Sequence, residues 1–112
     1  ILKSKIHRAT VTEANLDYIG SISIDEGLMR KANIVEFEKV HVLNITNGNR
    51  LTTYAIKANN HSGEICINGA AAHLVSKGDL VIIVAYGKIS MENHSSYTPN
   101  IVHVNKKNEI VD

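Results

Sequence analysis

Six runs rich in Val, Ile, Thr and Tyr, at residues 3–14, 38–46, 50–58, 63–68, 79–89 and 100–105, commit most of this chain to strands. The intervals between them carry turn chemistry. Asn47-Gly48 suits the positive φ angles of a type I′ hairpin turn, and 59–63 and 105–108 have the residues of two more turns. Helical signal is confined to three short stretches. Asp25 is positioned to cap residues 26–33, where Leu28, Met29 and Ala32 make one apolar face. Asn68 is positioned to cap a single turn that follows it, and residues 90–97 read as another, ended by Pro99.

A chain of 112 residues fills one core, so residues 1–112 read as a single domain. Six or more short strands with few helices imply an all-β, small closed barrel, because closure removes exposed sheet edges. The run Leu80-Val81-Ile82-Ile83-Val84 is apolar on both faces. Such a strand needs cover on each side, from the barrel interior and from another element or subunit, so an oligomer is expected.

Composition excludes several function classes. Net charge is +1, no basic run is longer than a pair such as Lys106-Lys107, and four Tyr and one Phe are scattered along the chain. Nucleic-acid binding needs a basic stripe with stacking partners, and neither is present. The longest apolar run, Leu80 to Tyr86, falls far short of the roughly 20 residues that span a bilayer, so no membrane role is expected. No apolar leader opens the chain, which starts at Ile1 without Met, and a few leading residues are expected before it. The single cysteine, Cys66, excludes an internal disulfide and suits a reducing cytoplasm; it reads as a small core residue. His41, His61, His94 and His103 fit no zinc spacing, and no metal is expected.

Four segments carry candidate chemistry. Residues 18–25, YIGSISID, have the alternation of an amphipathic strand, and they hold the pair Gly20-Ser21. In the strand-like run at 50–58, Arg50 and Tyr54 point to one face and Thr53 to the other. Asn68-Gly69-Ala70-Ala71-Ala72 offers four tiny side chains in a row, leaving backbone open to close approach by a ligand. In the opening strand, Lys5 and His7 share a face. Taken singly, each segment fits an ordinary strand or corner as well as a site.

Taken together, in this order, "SKIHRATVT", "YIGS", "NGNRLTTYAI", "NGAAAH" and "PNIVHVN" resemble the pyruvoyl-dependent aspartate 1-decarboxylase family over nearly the whole chain. The resemblance implies a six-stranded double-psi β-barrel, a cytoplasmic homotetramer with active sites near subunit contacts, and L-aspartate as substrate. It implies self-cleavage between Gly20 and Ser21 into chains 1–20 and 21–112, with Ser21 becoming a covalent pyruvoyl cofactor. That ketone would form a Schiff base with aspartate and accept electrons as CO2 leaves, giving β-alanine for pantothenate and coenzyme A synthesis.

By the same resemblance, Tyr54 is the proton donor and Arg50 holds a substrate carboxylate by its planar fork. The retained β-carboxylate is favoured over the departing one, whose clamping would stabilise the ground state. Which carboxylate Arg50 and Lys5 each take stays open. Lys5 is a second cationic contact, and the backbone of Gly69, Ala70 and Ala71 lines the substrate. Thr53 and Asn68 serve the cleavage or orient the pyruvoyl amide, and His7 and Tyr18 support the site from behind. Leu43 departs from the pattern, standing where some members carry a bulky aromatic. The residues themselves name no maturation helper. The competing readings are a catalytically silent barrel used for binding or assembly, and a pyruvoyl decarboxylase for another amino acid such as glutamate.

Overall fold

The computed structural model describes residues 1–18 and 20–111; Ile19, within the 18–25 segment, and Asp112 lie outside the described residues. Its strands are β1 (Leu2–Thr10), β2 (Glu13–Asn15), β3 (Ser21–Asp25), β4 (Lys39–Asn44), β5 (Arg50–Ala58), β6 (Ile65–Asn68), β7 (Leu80–Tyr86), β8 (Asn100–Val104) and β9 (Ile110–Val111). One α-helix, α1 (Glu26–Ala32), and two 3-10 turns, Gly69–His73 and Met91–Ser96, complete it.

The expected count of six strands is corrected to nine, hydrogen-bonded in the order β2-β6-β3-β5-β4-β7-β1-β8-β9. Among the described residues this ladder does not return on itself, so the expected closed barrel is not seen as a closed ladder. The physical reasons are local. The run at 3–14 is broken at Val11-Thr12, whose amides bond Asp79 and Ile65 carbonyls at 2.9 and 2.8 Å, and its tail becomes β2. β2 and β9 have three and two residues, too short to show alternation. β3 is the amphipathic segment at 21–25, now a full member of the sheet.

Three of the pairings, β1·β8, β2·β6 and β3·β5, are parallel, and the others are antiparallel. Ile6, Ile22, Ile24, Val42, Ile67 and Ile83 point into one core, each burial stabilising by about 1.5–3 kcal/mol. Leu28, Met29 and Ala32 of α1 join it, as the 3.6-residue spacing predicts. Asp25 caps α1 as expected, accepting the Gly27 amide at 2.7 Å. Its carboxylate also accepts the amides of His61 and Gly63 at 3.2 and 2.8 Å, anchoring the far end of β3 to that turn.

Two local expectations change. The connection between β4 and β5 runs over residues 45–49, and Asn47 is not among its positive-φ residues; Gly48, at φ 80°, is. The two-residue type I′ turn is lost because buried Asn44 captures the Thr46 amide through its Oδ1 at 3.0 Å and reaches Asp79 at 2.8 Å. Asn68 precedes the 69–73 turn but makes no side-chain cap to it. Its amide is engaged elsewhere.

Candidate active site

β3 lies between β6 and β5, and all five of its residues are buried. Antiparallel pairing sets Ser21 opposite Asn68 and Ser23 opposite Cys66, while Ile22 and Ile24 face Ile67 and Ile65 in the core. Alternation therefore gathers the four polar side chains on one face. There the Asn68 Nδ2 donates to Ser21 Oγ at 3.0 Å and to Ser23 Oγ at 3.1 Å, and the Cys66 thiol donates to Asn68 Oδ1 at 3.1 Å. Burial, with Glu64 and Glu13 nearby, pushes the Cys66 thiol up, so the donor keeps its proton.

Gly69 follows directly, at φ 71°. A Cβ on it would stand 2.7 Å from Gly20 Cα, 2.8 Å from Gly20 N and 3.1 Å from the Tyr18 carbonyl oxygen. Only glycine lets the 68–69 corner lie against Tyr18 and Gly20. At Gly20 itself a Cβ would meet only the Asn68 carbonyl oxygen, at 4.0 Å. The requirement for a bare backbone thus sits across from the Gly20-Ser21 bond, at Gly69, rather than in it.

Parallel pairing of β3 with β5 sets Ile22 opposite Ala55. One step back along both strands, Ser21 and Tyr54 come level, on the face away from the core. Tyr54 is 37% exposed, so it stands level with the buried serine in the register yet reaches solvent. Thr53 faces the other way, opposite core residue Val40, at the level of Gly20 rather than of Ser21. Ala70 and Ala71 continue from Gly69 in the 3-10 turn, Ala70 exposed and Ala71 half-buried.

Arg50 shares the Tyr54 face but stands four residues up β5, about 13 Å away along the strand. It lines a shallow cleft of about 260 Å³ with Leu43, Asn44, Ile45, Asn49 and Ile82. Lys5 is further still. It pairs with Val84, which pairs with His41, which pairs with Thr52, so one row crosses β1, β7, β4 and β5. Three strand spacings, roughly 14 Å, separate Lys5 from β5 along that row. Lys5 and Arg50 are thus on the Tyr54 face, respectively three strand spacings and four residues away from it along the sheet. A larger cleft, about 450 Å³, opens at the Asp25 end of β3 and holds none of the expected site residues.

His7 on β1 meets His103 edge-on, with ring centroids 5.6 Å apart, and its Nδ1 is buried without a hydrogen-bond partner. Burial, then Lys5, His103 and Arg8, lowers its pKa. Tyr18 is mostly exposed and contributes its carbonyl to the Gly69 contact. Among the described residues, no three metal-ligating side chains converge.

A family model for aspartate decarboxylase matches residues 1–111. The chain belongs to the aspartate decarboxylase family. Members similar to it include the aspartate 1-decarboxylase of Acetivibrio thermocellus, 57% identical over 112 residues, covering 100% of this chain and 89% of that one. The aspartate 1-decarboxylase of Caldicellulosiruptor saccharolyticus is 60% identical over 111 residues, covering 99% and 87%. That of Campylobacter curvus is 58% identical over 111 residues, covering 99% and 95%. Among solved structures, the rationally designed protein mkDPBB_sym_86 is similar in fold, with a TM-score of 0.55 at 19% identity, covering 78% of this chain and 96% of the design.

The residues that reading the sequence missed are Ser23 and Cys66. Their signal was the i, i+2 spacing to Ser21 and Asn68, which becomes a cluster only once β3 and β6 pair.

Proposed function

We propose that this chain decarboxylates L-aspartate to β-alanine and CO2, using a pyruvoyl group made from its own Ser21, and so feeds pantothenate synthesis. The observation that carries this reading is the buried Ser21 hydroxyl, held by Asn68 at 3.0 Å beside Gly20, on a chain of this family. A serine without solvent contact has no use as a surface residue. It is suited to attack its own backbone.

In that step Ser21 Oγ bonds to the Gly20 carbonyl carbon as the Gly20 C–Ser21 N bond breaks, turning amide into ester. Loss of the Ser21 Cα proton and cleavage of its Cβ–O bond release residues 1–20 as a carboxylate. Water then replaces the nitrogen at 21, which leaves as ammonia. The pyruvoyl group so formed supplies the electron sink that no encoded side chain provides. Gly69, packed on Gly20, holds the bond being cut, and Asn68 offers an N–H to the oxygen that becomes negative.

Tyr54 donates the proton to the α-carbon, as its level with Ser21 and its access to solvent suit. Arg50 takes the β-carboxylate, since clamping the departing carboxylate would favour the ground state. Lys5 adds a second cation. Its separation from Ser21 within one chain supports a homotetramer, in which a neighbouring copy's β1 completes each site. The nine-stranded mixed sheet is read as a double-psi barrel, supported by its likeness to the designed protein. The lone buried thiol suits the cytoplasm.

Intact-mass measurement and an assay of products from aspartate and glutamate test the proposal together. Two chains divided at Gly20/Ser21, with β-alanine formed from aspartate, are expected. A chain that stays single and releases no β-alanine ends the proposal, and preference for glutamate corrects the substrate.

A further inference from the structure

Resting on the reading that the Gly20-Ser21 bond is cut, we infer that Cys66 is a positioning residue for that cut, its thiol holding the Asn68 amide in the orientation that presents its NH2 to Ser21 and Ser23. A carboxamide can sit either way round. Facing one way, Asn68 gives two N–H donors to the serine hydroxyls; facing the other, it gives them an oxygen that only accepts. In the first case Ser21 Oγ accepts a hydrogen bond, which fixes its rotamer for attack. The same bond stabilises the charge that oxygen carries when the Cβ–O bond of the ester breaks and residues 1–20 leave as a carboxylate. In the second, the hydroxyl proton is tied to the amide oxygen and the departing carboxylate oxygen has no donor there.

What selects between them is the group behind the amide. The Cys66 thiol lies 3.1 Å from Asn68 Oδ1, and no other side chain donates to that oxygen among the described residues. Asn68 is 3% exposed and Cys66 9%, so bulk solvent cannot take the thiol's place. Without a donor there, a buried acceptor goes unpaired and the reversed amide becomes competitive. The thiol suits the task because burial, with Glu64 and Glu13 nearby, keeps it protonated. Ser23, held at 3.1 Å, takes the second N–H and keeps the amide plane aligned with β3.

The test is a time course of cleavage in the full chain, made by cell-free synthesis at low temperature and followed by intact mass. Cys66→Ala should cleave about tenfold more slowly than wild type. Cys66→Ser, which restores an O–H donor, should cleave near the wild-type rate. A packing role for Cys66 predicts the reverse order, because serine fills an apolar site worse than alanine does. Cys66→Val, apolar and filled, takes the place of Cys66→Ala should that variant fail to fold, and should also be slow. Wild-type speed in the donor-less variant, or Cys66→Ser as slow as Cys66→Ala, overturns the role of Cys66. A wild-type chain that never divides overturns the cleavage reading itself.

Discussion

The β3–β6 ladder and the outward face of β5, β4, β7 and β1 use polar residues in opposite ways. On the ladder, Ser21, Ser23, Cys66 and Asn68 are buried and joined through one amide within 3.1 Å. On the outward face, Arg50, Tyr54, His41 and Lys5 are spread over strands and stand partly or fully in solvent. The first arrangement is finished inside one chain. The second is open, with charges waiting for something to bring them together. If the chain cuts itself as proposed, its cutting geometry has to be complete on folding, whereas its substrate contacts can wait for the proposed assembly.

That contrast can be broken at several points. Ser21→Ala has the largest expected effect: no cleavage and no activity, read by intact mass and β-alanine release. Activity in that variant would detach the chemistry from the ladder altogether. Tyr54→Phe should still divide into two chains but turn over about 100-fold more slowly, a typical loss for a general acid. Equal turnover would move the proton donor to another group or to water.

Gly69→Ala sets a Cβ 2.7 Å from Gly20 Cα and should slow cleavage about tenfold by shifting the bond to be cut. It should also cost about 1–3 kcal/mol in denaturant unfolding. Normal cleavage and stability together would mean that Gly20 moves aside freely.

The smallest effect is expected at His7. Its pKa is lowered by burial and then by Lys5, His103 and Arg8, so as pH falls below 6.5 the unfolded chain takes up the proton before the folded one does. Folded stability attributable to His7 is therefore complete above that value and declines below it. His7→Gln should give a shallower fall in Tm as pH drops from about 7 to 5. An unchanged slope would assign the decline to other groups.

Much of this was legible in the residues. β-branched runs located β4 to β8 to within a few positions, and Asp25 with Leu28, Met29 and Ala32 marked α1. Where the reading fell short, the deciding physics was not local. β2 exists because Thr12 exchanges hydrogen bonds with Ile65, 53 positions away, and no propensity reports that. The 45–49 loop follows from what Asn44 binds, not from Asn47-Gly48 alone. Ser21 and Tyr54 could be singled out by motif, but their nearness depends on β3 running parallel to β5. Cys66 looked like core filler because its partner's orientation is invisible along the chain.

The placement of β1 has a consequence for the protein if it divides as proposed. β1 lies between β7 and β8, and β2 lies along β6, so residues 2–15 are woven through the sheet rather than appended to it. Cutting after Gly20 releases nothing while the fold stands. Once it is lost, two separate polypeptides must find each other again, and refolding becomes a second-order reaction that dilution slows. Maturation would thus convert a chain able to refold alone into one whose endurance is a matter of unfolding rate.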